Sequence, residues 1–141
     1  MQARQAGFTL IEILVVVVIL GILATVVVPK FMEEPDKARA ARARQDIQAL
    51  VTALNVYRLD NYNYPSTDQG LAALVQKPSG TPEAPNWRNG GYIERMIKDP
   101  WGRDYLYLSP GQRGEIDVYT LGADGRPGGE GKDADIGNWG E

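Results

Sequence analysis

Cysteine and histidine are both absent from this chain of 141 residues, and phenylalanine occurs only twice. Their absence excludes thiol chemistry, the usual zinc sites and a serine–histidine–aspartate triad. It also excludes disulfides, so the folded part must be held by core packing, a metal or assembly. A net charge of −3 leaves no basic surplus, which argues against nucleic acid as a partner. No glycine-rich stretch ends in Lys-Ser or Lys-Thr, so no P-loop is present. Paired carboxylates can hydrolyse glycosides, but here acids concentrate in one C-terminal loop and face no evident cleft. No active site emerges.

What the chain does have is a long apolar run over residues 13–28, preceded at once by Gly7-Phe8-Thr9-Leu10-Ile11-Glu12. As a helix, residues 8–28 would extend about 31 Å at about 1.5 Å per residue, enough to cross a bilayer. Glu12 stands at the lip of this segment. An acidic residue costs about 2.5–3.5 kcal/mol at a bilayer centre, so Glu12 calls for a cation. The natural one is a new amino terminus, created by cutting after Gly7. A secretory signal peptide carries its small-residue cleavage site after the apolar core, whereas here the glycine precedes it. Cleavage would leave the apolar helix on the mature chain. Gly21 and Thr25, four apart, either form a small-xxx-small pair that lets helices approach closely or reflect only the frequency of glycine in membrane helices. Pro29 and Pro35 are expected to kink the helix.

Residues 29–60 read as an amphipathic continuation. Ala38, Ala41, Ile47, Leu50, Val51, Leu54 and Tyr57 fall largely at three- and four-residue steps, with Asp36 as the N-cap of this half. Arg42, Arg44 and Asp46 on the other face are either solvated or contacts between subunits. The remainder, residues 61–141, changes character. A short helix is expected over 67–76, a proline- and glycine-rich loop over 77–91, and strands over 104–108 and 116–121 joined by a turn at 109–114. Two strands alone are marginal, so a third short strand or the helix stripe must cover them. The fold class is α+β: a long kinked N-terminal helix, one half membrane and one half amphipathic, packed on a small antiparallel β-sheet, with a long C-terminal loop. A helix over residues 8–59 reaches about 78 Å, whereas a globule of this size has a radius of gyration near 13 Å. The first half must protrude, and protruding apolar helices assemble.

The loop over residues 121–139 holds six glycines and four acids, Asp124, Glu130, Asp133 and Asp135, with little to bury. Hard oxygens on a glycine-bent backbone suit calcium, which takes 6–8 oxygen ligands in flexible geometry. Asp124-Gly125 is reminiscent of half an EF-hand but lacks its terminal glutamate. A solvated acidic loop stays open as the plainer reading.

The hexapeptide at residues 7–12 resembles the prepilin-peptidase site of the type IV pilin-like superfamily. The resemblance implies a leader over residues 1–7, cleavage between Gly7 and Phe8, N-methylation of Phe8, and Glu12 as an assembly residue at mature position five. Further blocks narrow it. Tyr57-Arg58-Leu59-Asp60-Asn61, Tyr64-Pro65-Ser66-Thr67-Asp68-Gln69-Gly70-Leu71, Asp99-Pro100-Trp101-Gly102 with Tyr105, and Leu121-Gly122-Ala123-Asp124-Gly125 through Asp135-Ile136-Gly137-Asn138-Trp139 together are similar to the major pseudopilins of type II secretion systems.

That family implies a homopolymer forming a short periplasmic pseudopilus that supports export of folded exoproteins. Its partners would be minor pseudopilins, an inner-membrane secretion platform and the prepilin peptidase. It also implies calcium in the C-terminal loop, held by the carbonyl of Leu121, Asp124, a carbonyl near Arg126, and the carboxylates of Asp133 and Asp135. The location implied is the inner membrane of a Gram-negative bacterium, single-pass, with the C-terminal domain in the periplasm. Taken literally, the bases after the span (Lys30, Lys37, Arg39, Arg42, Arg44) would keep that domain in the cytoplasm. The leader must meet a cytoplasm-facing peptidase, however, and Glu33, Glu34 and Asp36 sit among those bases. A type IV pilin or minor pilin for adhesion, motility or DNA uptake is the alternative; the missing cysteines and the calcium-like loop count against it. A membrane-anchored calcium module that never polymerises would leave Glu12 unexplained.

Overall fold

The computed structural model describes residues 6–140, with the side chains of residues 26–34 excepted. Residues 1–5 of the expected leader therefore lie outside the described residues. The chain divides into two compact units, Met1–Asp36 and Lys37–Glu141. Helix α1 spans Leu10–Asn61. Neither Pro29 nor Pro35 ends it, and Asp36 lies inside the helix instead of capping a second one. A cap has nothing to do there, because the turn before Asp36 already presents carbonyls to the N–H groups that a helix start would leave orphaned.

In the first unit every described apolar side chain from Phe8 to Leu23 is exposed. Thr25 turns its hydroxyl back onto its own helix, donating to the Ile22 carbonyl at 2.7 Å. Among the described residues no helix is long and apolar enough to cross a membrane. The last part of the apolar run, beyond residue 25, falls on side chains outside the description.

The second unit has one core. Ala43, Ile47, Leu50, Leu54 and Tyr57 supply the buried face of α1 at helical spacing. Ala38 and Ala41, expected in that stripe, are exposed, so it begins only at Ala43. Leu71, Leu74, Tyr105, Tyr107, Ile116 and Val118 pack against it. Each large apolar side chain buried here stabilises by about 1.5–3 kcal/mol relative to exposure. The tyrosine hydroxyls find acceptors at the core's edge: Tyr105 donates to Asp46 at 2.8 Å and Tyr107 to the Pro65 carbonyl at 2.8 Å. Burial pushes the Tyr107 hydroxyl up to about 12; burial and then the Asp46 hydrogen bond raise Tyr105 further. Both remain neutral donors. Asp46 is thus engaged within its own subunit through one carboxylate oxygen.

α1 stops at Tyr62, whose φ of 70° leaves the helical region while its N–H still donates to the Arg58 carbonyl at 2.7 Å. Asn61, buried, then fastens the irregular segment 77–91. Its amide nitrogen donates to the Tyr57 carbonyl and the Tyr92 hydroxyl, and its oxygen accepts from Asn86 N–H at 3.0 Å. Arg88 pairs with Asp60 at 2.5 Å and holds that carboxyl below its usual range. Trp87 donates to the Ala73 carbonyl at 2.8 Å.

The helix expected over 67–76 shrinks to a 3-10 turn at Leu71–Leu74. Gly70 (φ 62°) breaks it, and Ser66 and Gln69 exchange side-chain-to-backbone hydrogen bonds that close a separate turn. The sheet has order β1-β2-β3, all antiparallel. Strand β1 is Leu106–Leu108, β2 is Asp117–Thr120 and β3 is Ile136–Gly137, each shorter than or absent from the sequence expectation. The third strand comes from the tail. Asn138 extends its pairing by side chain: Val118 N–H donates to Asn138 Oδ1 at 2.9 Å, and Asn138 Nδ2 donates to the Ile116 carbonyl at 3.0 Å. Trp139 then packs on Tyr119, with the Arg113 guanidinium 4.2 Å above its ring.

Candidate functional site

The residues singled out from the sequence fall in two places, one in each unit. At the first, Gly7 and Phe8 precede α1 in non-helical backbone, and Phe8 is 85% exposed. A Cβ built on Gly7 meets nothing within 4 Å. The fold therefore places no steric demand for glycine at position 7. Any such demand must come from outside the chain, as it would from an enzyme that reads the site.

Thr9 and Glu12 start the helix. Thr9 N–H donates to Glu12 Oε2 at 2.8 Å, and Glu12 N–H donates to Thr9 Oγ1 at 3.3 Å. This is a capping box, which satisfies two of the orphan donors of the first turn and sets a carboxylate at the positive end of the helix dipole. Sequence reasoning singled out Glu12 for its charge and missed Thr9, although the Thr-x-x-Glu spacing is itself a helix-start signal. Glu12 thus has a role within its own subunit, and its carboxylate remains exposed to other groups.

The second place is the C-terminal loop. Ala123 N–H donates to the Lys132 carbonyl at 2.9 Å. A Cβ on Gly122 would stand 2.7 Å from the Ala134 oxygen and 2.9 Å from that of Asp133. The limb carrying Leu121 and Asp124 therefore lies against the limb carrying Asp133 and Asp135. The carboxylates themselves are engaged separately. Asp124 Oδ1 accepts from Arg126 N–H at 3.0 Å, closing a local turn, and Asp133 pairs with Lys132 at 3.0 Å. Asp135 Oδ2 accepts from Gly128 N–H at 2.9 Å, while its Oδ1 is buried with no hydrogen-bond partner. Among the described residues no three acidic side chains converge closely enough to hold a metal ion.

The structure thus brings the two limbs together without gathering Asp124, Asp133 and Asp135 into one cluster. The donor set still fits a hard cation. It consists of carboxylate and carbonyl oxygens alone, and a buried carboxylate oxygen without a partner is costly unless something satisfies it. Sequence reasoning missed the base of the loop. Asp99 is buried and accepts from Trp101 N–H, Arg103 N–H and the Thr120 hydroxyl, and Arg103 donates onward to the Gly122 carbonyl. A lone arginine after Asp99-Pro100-Trp101-Gly102 gives no cue to this.

Comparison with known proteins bears on both places. Residues 30–139 match the family model for type II secretion system protein G, and residues 2–28 match the prokaryotic N-terminal methylation motif. Type II secretion system core protein G of Pseudomonas aeruginosa is 59% identical, over 99% of this chain and 99% of that protein. The protein of the same description from Vibrio cholerae is 62% identical, over 96% of this chain and 92% of its own length. The crystal structure of the major pseudopilin from the type 2 secretion system of enterohaemorrhagic Escherichia coli superposes with a TM-score of 0.69 at 50% identity. That match covers 77% of this chain and 88% of the other.

Proposed function

This chain belongs to the protein G family of type II secretion systems, the major pseudopilins, and from that premise we propose how its two sites serve a pseudopilus. The leader is cut between Gly7 and Phe8, and Phe8 is methylated on its new amine. Residues 8–28 anchor the subunit in the inner membrane, with the folded unit in the periplasm. On assembly Glu12 pairs with the Phe8 amine of an adjacent copy, and the filament meets minor pseudopilins and the inner-membrane platform. The observation that carries this is the placement of Gly7: open backbone, no internal demand for glycine, directly ahead of a capped helix start whose described apolar side chains through Leu23 are exposed.

Removing the gene from the native host should leave exoproteins in the periplasm, and re-expressing this chain should restore their release. Undiminished release by the deletion strain, with loss of surface adhesion or DNA uptake instead, would oppose this reading.

We also propose that the C-terminal loop binds calcium through the Leu121 carbonyl, Asp124, a carbonyl at Arg126, Asp133 and Asp135. The orphaned Asp135 Oδ1 and the closed limbs support it. When bound, the cation would supply the positive charge that those oxygens lack. Asp133 must then leave Lys132, and Asp124 must share its oxygen with the Arg126 turn. A ligand confined to the native state stabilises by about 2.7 kcal/mol at a hundredfold excess over Kd. The full chain in detergent should accordingly melt higher in millimolar calcium than in chelator. Magnesium should substitute poorly, since it demands tight octahedral geometry, and Asp124→Ala should erase the difference. Equal melting temperatures with and without calcium would return the loop to a solvated acidic segment.

A further inference from the structure

Arg103 reaches from the Asp99–Gly102 turn onto the first limb of the C-terminal loop. Its Nη2 donates to the Gly122 carbonyl. A Cβ on Gly125 would lie 2.7 Å from Nη1 and 3.1 Å from Cζ, so the guanidinium fills the space that a side chain at 125 would take. The root of Arg103 is fixed as firmly. Its N–H donates to Asp99 Oδ1 at 2.8 Å, its carbonyl accepts from Asp99 N–H at 2.7 Å, and its Nε stands 3.7 Å from Asp99 Oδ2. The Asp99 side chain is 0% exposed and is itself tied to the end of β2 by the Thr120 hydroxyl at 2.6 Å. A continuous set of contacts therefore runs from the sheet, through a buried carboxylate and a guanidinium, to the Gly122–Gly125 backbone. The second limb is tied at its ends, by the Ala123 N–H on the Lys132 carbonyl and by the pairing of β3 with β2, while its Asp135 Oδ1 is orphaned and its Asp133 is held by a neighbouring lysine.

We propose that Arg103 is a positioning residue for the cation site, holding residues 122–126 in their binding form before any metal arrives. This rests on the calcium reading of the same loop. Ordering a loop costs backbone entropy residue by residue, and a limb ordered in advance lowers the cost that binding must meet. The opposing effect is charge, since a guanidinium beside a cation site repels the metal. Asp99 offsets that charge, and the guanidinium's bond goes to a carbonyl outside the expected ligand set. Pre-ordering therefore outweighs repulsion, and removing Arg103 weakens binding.

The test is calcium titration by calorimetry and amide hydrogen exchange, both on the full chain in detergent. Arg103→Gln should weaken calcium about tenfold, the lower end of what supporting residues around a metal site contribute. It should also speed exchange at 122–126 in chelator while leaving exchange in the core helix unchanged. Gly125→Ala, which keeps every charge but drives a Cβ into Nη1 and strains a backbone at φ 67°, should also loosen 122–126, and Arg103→Lys should recover part of the loss. Asp135→Asn should abolish calcium binding and leave exchange at 122–126 as it is in the metal-free chain. A residue that merely stabilises the fold would lower the melting temperature equally with and without calcium; Arg103→Gln should instead narrow the gap between them. Unchanged or tighter calcium binding in Arg103→Gln, or unaltered exchange at 122–126, would overturn the role of Arg103 whatever the metal does. A wild-type chain that binds no calcium, yet loosens at 122–126 on Arg103→Gln, would instead overturn the cation site and the positioning role defined by it.

Discussion

A Glu12→Leu chain is expected to insert and lose its leader normally, yet to build no filament and restore no secretion in a deletion strain. In an apolar surrounding, breaking an ion pair by removing one partner commonly costs about 3–5 kcal/mol. Repeated at every subunit of a polymer, that is enough to abolish assembly. The capping box complicates this simple expectation, because Glu12 also accepts the Thr9 N–H, and an acidic side chain in a helix's first turn stabilises it by about 0.3–1 kcal/mol in its own right. Glu12→Gln separates the two roles. Glutamine serves at this position of a capping box but carries no charge, so it should preserve the helix start and still fail to assemble. Crosslinked oligomers in membranes and exoprotein in the medium would be measured for both variants. Normal secretion by Glu12→Gln would assign the residue to helix capping and refute the pairing with Phe8.

Gly7→Glu is expected to block processing completely. The structure gives no internal reason for glycine at this position, since a Cβ there meets nothing within 4 Å. Folding of the Lys37–Glu141 unit should therefore be unaffected, and the full-length precursor should accumulate in the membrane at wild-type amounts. Gly7→Ala adds a single methyl group and should only slow cleavage. An immunoblot resolving precursor from mature chain reads both outcomes. Prompt maturation of Gly7→Glu would mean that cutting, if it occurs, does not depend on this glycine.

Much of this was legible in the sequence because its signals are local. The apolar run, the glycine before it and the glutamate at its lip need only nearest neighbours to be read. The stripe from Ile47 to Tyr57 and the hairpin's two strands follow from periodicity. What escaped depends on distant partners. Ala38 and Ala41 keep the helical spacing but lie ahead of the first buried position, Ala43, so they stay exposed. The third strand hid in a glycine-rich tail because two residues, Ile136 and Gly137, suffice once Asn138 supplies strand-like hydrogen bonds from its side chain. Asn61 and Arg88 look like ordinary polar residues, yet they fasten the proline-rich segment to the end of α1.

The loop shows the same limit. The spacing of its acids led only to an expectation of a hard-cation site, and their engagement with Arg126, Lys132 and Gly128 follows from a backbone path that spacing does not encode. Arg103 lies nearly twenty residues before the carbonyl it holds, with two strands between them.

The most direct measurement is the intact mass of this chain recovered from the membranes of its native host. Processing as a pseudopilin gives a single species that begins at Phe8, lacks residues 1–7 and carries one methyl group on the Phe8 nitrogen. Recovery of the uncut, unmethylated chain from cells that are actively secreting would contradict it.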